Sequence, residues 1–325
     1  MSKSFIDEVR QKAKQRNLKV SFPDADDARS IKAAIILLQE RIAVPSLVGN
    51  TEKIKKVAAE KGLDLAGVEI VDPEVSEWKE EFTQLLYEKR KSKGMTIEQA
   101  RDTILDPLYF AGFMLETDRI QACVGGNVSS TGNVLKAAIY SVGVAEGISI
   151  ISSYFIMLFP DKMYCFADCA VNPDPTSEQL ADIAISSAKN YHSVTGEEPR
   201  VAMLSFSTKG SAKHDAVDKV IKAKEIVNQK APELPCDGEL QLDAAIIPRI
   251  GEKKAPGSNV AGKANVLVFP DLNSANIGYK LTERLAGAEA VGPIVQGLKK
   301  PYCDLSRGCS TEDMVNVAAI CTLMA

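Results

Sequence analysis

The chain has 325 residues, 45% hydrophobic and 25% charged, with a net charge of −4, which is enough for two domains and a large buried core. That balance excludes a nucleic-acid binder that relies on a basic excess. It also excludes a membrane span, because the longest apolar run, Ile148 to Phe159, is short and broken by Ser152 and Ser153. Met1 to Arg16 is charged and amphipathic, with no apolar signal core. Seven scattered cysteines read as reduced thiols of a cytoplasmic protein. Cys165 and Cys169 have no second pair at ligand spacing, and the only histidines, His192 and His214, lie in polar helical contexts. Neither a metal site nor a histidine-based triad is expected.

Strand and helix patterns alternate from the start. Ser4 to Arg16 reads as a surface helix and Leu18 to Phe22 as a strand ended by Pro23-Asp24. Asp26 to Glu40 reads as a helix with Ile31, Ala34, Ile35 and Leu38 on its apolar face. Val44 to Val48 and Val68 to Val71 are strands around a Lys-rich helix begun by Thr51. Such alternation predicts a parallel sheet covered on both faces. Ser76 to Lys93 is a helix closed by Gly94, and Thr96 caps the next. Gln121 to Val124 is a strand, followed by a helix with Leu135, Ala138 and Ile139 on one face.

The alternation breaks after Gly143 to Gly147, which reads as a hinge. Ile148 to Leu158 and Met163 to Ala167 form a hairpin-like pair, so a second domain begins here. The 148–158 segment is a candidate subunit interface or else domain core. Thr176 caps a helix to about Val194, Arg200 to Phe206 is a strand, and another helix follows Ser211. Leu234 to Leu242 is strand-like, Arg249 to Lys263 reads as an exposed loop, and Asn265 to Phe269 is a strand leading into a helix.

Polar residues gather at strand-to-helix junctions, where ligands bind in parallel sheets. Gly125 to Asn133 places Ser129, Ser130 and Thr131 before a helix that carries Lys136. This is an anion cradle or a plain turn with a hydroxyl cap. Ser207, Thr208 and Lys209 sit on a loop that resembles a phosphate loop but lacks G-x-x-x-x-G-K-[ST]. Asn276 and Lys280 lie on the 270–280 junction. Arg90 stands in the most basic local patch and has the fork for bidentate phosphate binding. Near the end, Ser306, Arg307 and Asp313 cluster before an apolar helix, with Ser310 and Asp313 at capping-box spacing. Asp313 is a helix-capping acid or a base. Together these junctions point to a cleft that binds a multiply anionic small molecule.

Four segments carry a more specific likeness: Leu204-Ser-Phe-Ser-Thr-Lys-Gly-Ser-Ala-Lys213, Phe269-Pro-Asp-Leu-Asn-Ser-Ala-Asn-Ile-Gly-Tyr-Lys280, Gly292-Pro-Ile-Val-Gln-Gly297 and Asp304-Leu-Ser-Arg-Gly-Cys-Ser-Thr-Glu-Asp313. Over nearly the whole chain the sequence resembles the phosphate acetyltransferase family and, in part, the phosphate butyryltransferases. The resemblance implies two α/β domains of the isocitrate/isopropylmalate dehydrogenase-like fold with an interdomain cleft, and a homodimer. The expected domains are 1–146 plus 297–325, and 147–296. The implied reaction is reversible acetyl transfer between coenzyme A and phosphate, with CoA and acetyl phosphate as substrates and no bound cofactor. A phosphate butyryltransferase and a non-catalytic acetyl-CoA-binding regulator are the alternatives.

In that family's terms Asp313 matches the proposed base, Ser306 and Arg307 match residues that position substrate and stabilise charge, and Arg90 matches an arginine near the acyl phosphate. Ser152 and Ser153 resemble a segment near the phosphate site. An ordinary Asp titrates near ~3.9 and a thiol near ~8.5, so full proton transfer would be uphill by roughly 6 kcal/mol. Deprotonation is therefore expected to accompany attack, or burial to raise Asp313. The sequence departs from the family at one place. Many members carry His-Ser-Thr-Ala-Asp-x-x-Arg where this chain has Ser129-Ser-Thr-Gly-Asn-Val-Leu-Lys136, and Lys136 keeps the charge but not the fork.

Overall fold

The computed structural model describes residues 2–325, with side chains from Phe5 onward. Its strands are β1 (Lys19–Phe22), β2 (Val44–Val48), β3 (Glu69–Val71), β4 (Ala122–Gly125), β5 (Ser152–Leu158), β6 (Met163–Ala167), β7 (Val201–Leu204), β8 (Cys236–Leu240), β9 (Val266–Val268), β10 (Glu289–Gln296) and β11 (Tyr302–Asp304). They form two sheets in two compact units. One unit comprises Ile6–Ala145 with Leu298–Ala325, and the other centres on Glu146–Gly297.

The first unit holds an all-parallel sheet in the order β11-β4-β1-β2-β3. From β1 the chain runs outward through β2 and β3. It then returns to lay β4 and β11 on the other side. The order therefore reverses between β1 and β4, where open α/β sheets take their ligands. Two helices here are apolar almost all round. Pro107–Glu116 buries every residue from Leu108 to Leu115, and Thr311–Met324 buries every residue from Met314 to Leu323. Such helices belong in a core. The first has Asp106 as its cap and Pro107 at its first turn, yet its uniform apolarity gives no 3.6-residue period to read. Phe110 and Phe113 of this helix meet Phe82 at ring distances of 4.9 and 5.9 Å. The terminal helix lies against Ala28–Gln39 and β4.

Two expected helix faces are rotated. In Ala28–Gln39 the buried residues are Ser30, Ile31, Ala33, Ala34 and Leu37, while Ile35 and Leu38 lie at the margin. In Thr131–Ser141 they are Val134, Ala137, Ala138 and Ser141, and Ile139 is exposed. In both, a small residue occupies the core face where helices approach closely. The N-terminal helix, Ser2–Arg16, is no pure surface helix, since Phe5, Ile6, Val9 and Ala13 are buried.

The second unit holds a mixed sheet, β10-β5-β6-β9-β7-β8. β8, β7, β9 and β6 are parallel, while β5 and β10 are antiparallel additions. All seven residues of β5 are buried because it lies between two strands. The apolar 148–158 run is therefore core rather than interface over its strand. β10 escaped the sequence reading because Gly292-Pro293 lies inside it. A proline is tolerated there because β10 is an edge strand with an irregular register between Val291 and Ile294. The 249–263 segment is not an exposed loop: it contains the helix Pro248–Lys254, and Ala255, Val260 and Ala261 are buried.

Candidate functional site

In the first unit the site is built on three adjacent strand ends, those of β1, β4 and β11. Asp24, just past β1, is buried and gathers the loop after β4. Its carboxylate accepts from the amides of Gly126 (2.8 Å), Val128 (3.2 Å) and Ser129 (3.3 Å), and from the Ser129 hydroxyl (2.6 Å). A carboxylate thus fills the amide concavity that the cradle reading reserved for a substrate anion. Gly126 is required there. Its φ is +95°, and a Cβ would lie 2.2 Å from Asp304 Oδ1 and 2.6 Å from the Leu305 carbonyl. Ser130 is a helix cap, accepting from the Asn133 amide. Thr131 is exposed in the first turn.

Arg29 joins this loop to the C-terminal cluster. It donates to the carbonyls of Asn127 (2.8 Å), Arg307 (2.9 Å) and Cys309 (2.9 Å), while both Asp27 oxygens hold its other edge. The Arg29 guanidinium in turn keeps the Asp27 carboxyl below its ordinary range. Three carbonyls from two distant segments converge on one fork, so those loops cannot move independently. The clamp leaves Ser306, Arg307 and Asp313 exposed at the end of β11. The expected capping box is present. The Ser310 amide donates to Asp313 Oδ2 at 2.8 Å, and the Asp313 amide donates to Ser310 Oγ at 3.1 Å. Asp313 therefore caps the helix with a carboxylate that remains open to solvent. Cys309, beside it, is buried, and burial pushes its thiol up to about 11.

Asp304 closes β11 opposite Gly125. It is 6% exposed, its Oδ1 has no hydrogen-bond partner, and burial pushes its carboxyl up to about 6. The Thr131 hydroxyl pulls that value down and the Asp24 charge adds to the rise. Arg90 and Lys136 come together over the ring of Tyr140, at 3.8 and 5.5 Å from its centroid. Of the candidate cations in this unit, Arg90, Lys136 and Arg307 have no carboxylate partner among the described residues, so all three are available to an anion.

The second unit treats its polar junctions differently. Ser153 is buried and donates its amide (3.0 Å) and hydroxyl (2.5 Å) to Asp168, which also collects the amides of Ala170, Val171 and Asn172. Ser152 Oγ accepts from Gln296. On the loop after β7, the Ser207 hydroxyl (2.9 Å) and the Gly210 amide (2.7 Å) donate to the buried Glu239, and the Thr208 hydroxyl donates to Gln241. Lys209 pairs with Asp237. Burial pushes Asp237 up, but hydrogen bonds from Lys209, Ser258 and Gly238 outweigh it and hold its carboxyl below the usual range. The donors of the phosphate-like loop are thus met from within the fold. Asn276 donates to the Cys169 carbonyl at 3.1 Å, and Lys280 is exposed beside Tyr279.

Sequence reasoning missed Asp24, Arg29, Asn127, Asp304 and Tyr140. Asp24 was read only as a strand terminator. Its partners are about a hundred residues away, and those of Arg29 reach 280 away. A linear pattern carries no signal at such separations.

A parallel sheet whose carboxyl ends present unpaired cations beside helix N-termini defines a class of α/β proteins that handle phosphorylated small molecules. The pattern of the family described as phosphate acetyl/butaryl transferase matches residues 4–322. A phosphate acetyltransferase of Acetivibrio thermocellus is 48% identical over 328 residues, covering 99% of this chain and 98% of its own length. The chain belongs to the phosphate acetyl/butaryl transferase family. The solved EutD phosphotransacetylase from Staphylococcus aureus superposes with a TM-score of 0.93 at 41% identity, over 99% of this chain and 98% of that one. A 4-hydroxythreonine-4-phosphate dehydrogenase from Burkholderia phymatum shares the fold alone, with a TM-score of 0.56 at 13% identity over 93% and 98%. The architecture is accordingly the one related to the isocitrate/isopropylmalate dehydrogenase-like fold.

Proposed function

We propose that this chain is a phosphate acetyltransferase, interconverting acetyl-CoA plus phosphate with acetyl phosphate plus CoA. The observation that carries the reading is near full-length identity to a phosphate acetyltransferase, 48% across 99% of the chain. The geometry supports it. Ser306 and Arg307 project from a loop clamped by Arg29, and Arg90 and Lys136 are cations without a carboxylate partner in the same unit.

In the direction of acetyl-CoA formation the thiol sulfur bonds to the acetyl carbon, the carbon–oxygen bond to phosphate breaks, and the thiol proton ends on phosphate. Asp313 takes that proton as attack proceeds and passes it to the departing phosphate, which regenerates the carboxylate. Its exposed carboxylate at the helix start is accessible to a thiol. Arg307 and the Ser306 hydroxyl donate to the oxyanion of the tetrahedral intermediate. Arg90 and Lys136 hold phosphate groups. Ser129 supports the loop through Asp24 and Ser130 caps the helix. Ser152, Ser153, Ser207, Thr208, Lys209 and Asn276 act as scaffold rather than contact substrate. CoA enters as a substrate in a cytoplasmic enzyme without a resident cofactor.

The test supplies CoA with acetyl phosphate or with butyryl phosphate. Faster acyl-CoA formation from acetyl phosphate is expected. A butyryl preference would change the acyl group and keep the mechanism. Acetyl-CoA binding without turnover of either would replace the reading with a regulatory one. Asp313→Asn is expected to lower kcat by about 100-fold or more while KM changes little, and unchanged kcat would remove Asp313 from the chemical step.

A further inference from the structure

Arg90 ends the helix Lys79–Arg90 with its guanidinium carbon 3.8 Å from the centre of the Tyr140 ring. Lys136 stands one turn before Tyr140 on Thr131–Ser141 and brings its ammonium to 5.5 Å from the same ring. Tyr109, from a third helix, meets Tyr140 edge-on with centroids 6.0 Å apart and planes at 72°. Arg90 Nε is buried without a hydrogen-bond partner. Two cations therefore share one ring with no counter-ion, an arrangement that repels itself until an anion arrives. The ring face attracts both cations. A guanidinium lying over an aromatic face keeps its donors in its own plane, at the edge, where a phosphate can accept two of them.

We propose that Tyr140 is a positioning residue of the substrate site, whose ring holds Arg90 beside Lys136 so that the two cations receive one phosphate group. The inference rests on the acetyl-transfer reading and deepens it by naming the residue that presents the phosphate binder. Tyr140 meets no reacting atom and acts through Arg90. Lys136 supplies charge, and Arg90, oriented by the ring, supplies direction. The phosphate is that of acetyl phosphate or one carried by CoA, and the chemistry of recognition is the same.

The test compares Tyr140→Leu, Tyr140→Phe and Arg90→Ala, singly and with Tyr140→Leu combined with Arg90→Ala. KM is measured for CoA and for acetyl phosphate, and affinity for CoA and for inorganic phosphate is measured by calorimetry. Tyr140→Leu is expected to raise one KM by roughly 3- to 30-fold, the range of a cation–π contact, with kcat within about 2-fold, because the ring acts on binding rather than on the reacting atoms. Tyr140→Phe, which keeps the ring, should restore KM to near the wild-type value. Arg90→Ala should cost less in the Tyr140→Leu background than alone, as expected for coupled residues. A rise confined to CoA assigns the phosphate to CoA, and one confined to acetyl phosphate assigns it to the acyl donor. Unchanged KM and affinity for every ligand in Tyr140→Leu, or a loss confined to kcat, would overturn the proposal. If the wild-type chain shows no turnover, the acetyl-transfer reading fails, and the phosphate and CoA titrations still decide the role of Tyr140. Should the leucine variant not fold, Tyr140→Met fills similar space without a ring and is read in the same way.

Discussion

Asp304 shows how one buried atom couples the site to pH. Its Oδ1 lies against Gly126 without a donor, and burial raises its carboxyl to about 6. A carboxyl raised by folding binds its proton more tightly in the folded chain than in the unfolded one. Its ionisation therefore costs stability. The cost is absent below the unfolded value near ~3.9, grows as pH rises, and is complete above about 6. Asp304→Asn removes the charge and keeps an acceptor for Thr131. Relative to wild type, the variant is expected to gain up to about 3 kcal/mol between pH 4 and pH 7.5. Urea unfolding at the two pH values measures this, and a difference that does not change with pH would show that Asp304 does not titrate in that window. Asp313 combines a helix cap with the accessibility that its proposed role as base requires. One carboxylate oxygen closes the capping box that local spacing announced, and the group stays exposed for chemistry.

Among the elements, the loop between β4 and the helix Thr131–Ser141 carries the most constraint. Asp24 binds three of its amides, Arg29 holds its Asn127 carbonyl, and Gly126 turns at positive φ against Asp304 and Leu305. Gly126→Ala should lower stability by about 2–4 kcal/mol, since the new methyl meets the buried Asp304 carboxylate and the Leu305 backbone and φ is unsuited to alanine. A thermal-unfolding midpoint within a degree of wild type would contradict the crowding described. Legibility also varied by element. Helix caps were readable because Thr96, Thr176 and Ser310 each form a capping box within four residues. β11 was hidden because it is three residues long, and β10 because Gly292-Pro293 interrupts its pattern. The helix Pro107–Glu116 was missed for the opposite reason: it is apolar on every side.

For the molecule as a whole, several exposed large apolar residues of the described chain line up as a stripe on the helix Leu272–Ala286. Ile277, Leu281 and Leu285 are 57%, 51% and 80% exposed at a four-residue spacing, which puts them on one face. A row of this kind is suited to association. It offers a face for the homodimer that the family resemblance implies, other than the 148–158 segment that the sequence offered. Leu281→Arg with Leu285→Arg is expected to halve the mass seen by sedimentation while leaving the far-ultraviolet circular dichroism unchanged. A mass unaffected by the double change would place any association elsewhere.

The alternation of strands and helices, the capped helix starts, the break in alternation near Gly143 to Gly147 and the family were all legible in the sequence. Each of these rests on residues close together in the chain or on long segments kept in order. Which candidate donors are already engaged became visible only in the folded chain. Lys209, Ser153 and Ser129 look as suited to a phosphate as Arg90, Lys136 and Arg307. Yet Asp237, Asp168 and Asp24, brought to them by sheet packing, already satisfy the first three. A donor's availability depends on what faces it in space. Burying a carboxylate is costly unless donors meet it, so Asp237, Asp168 and Asp24 each engage the donors that sheet packing brings to them.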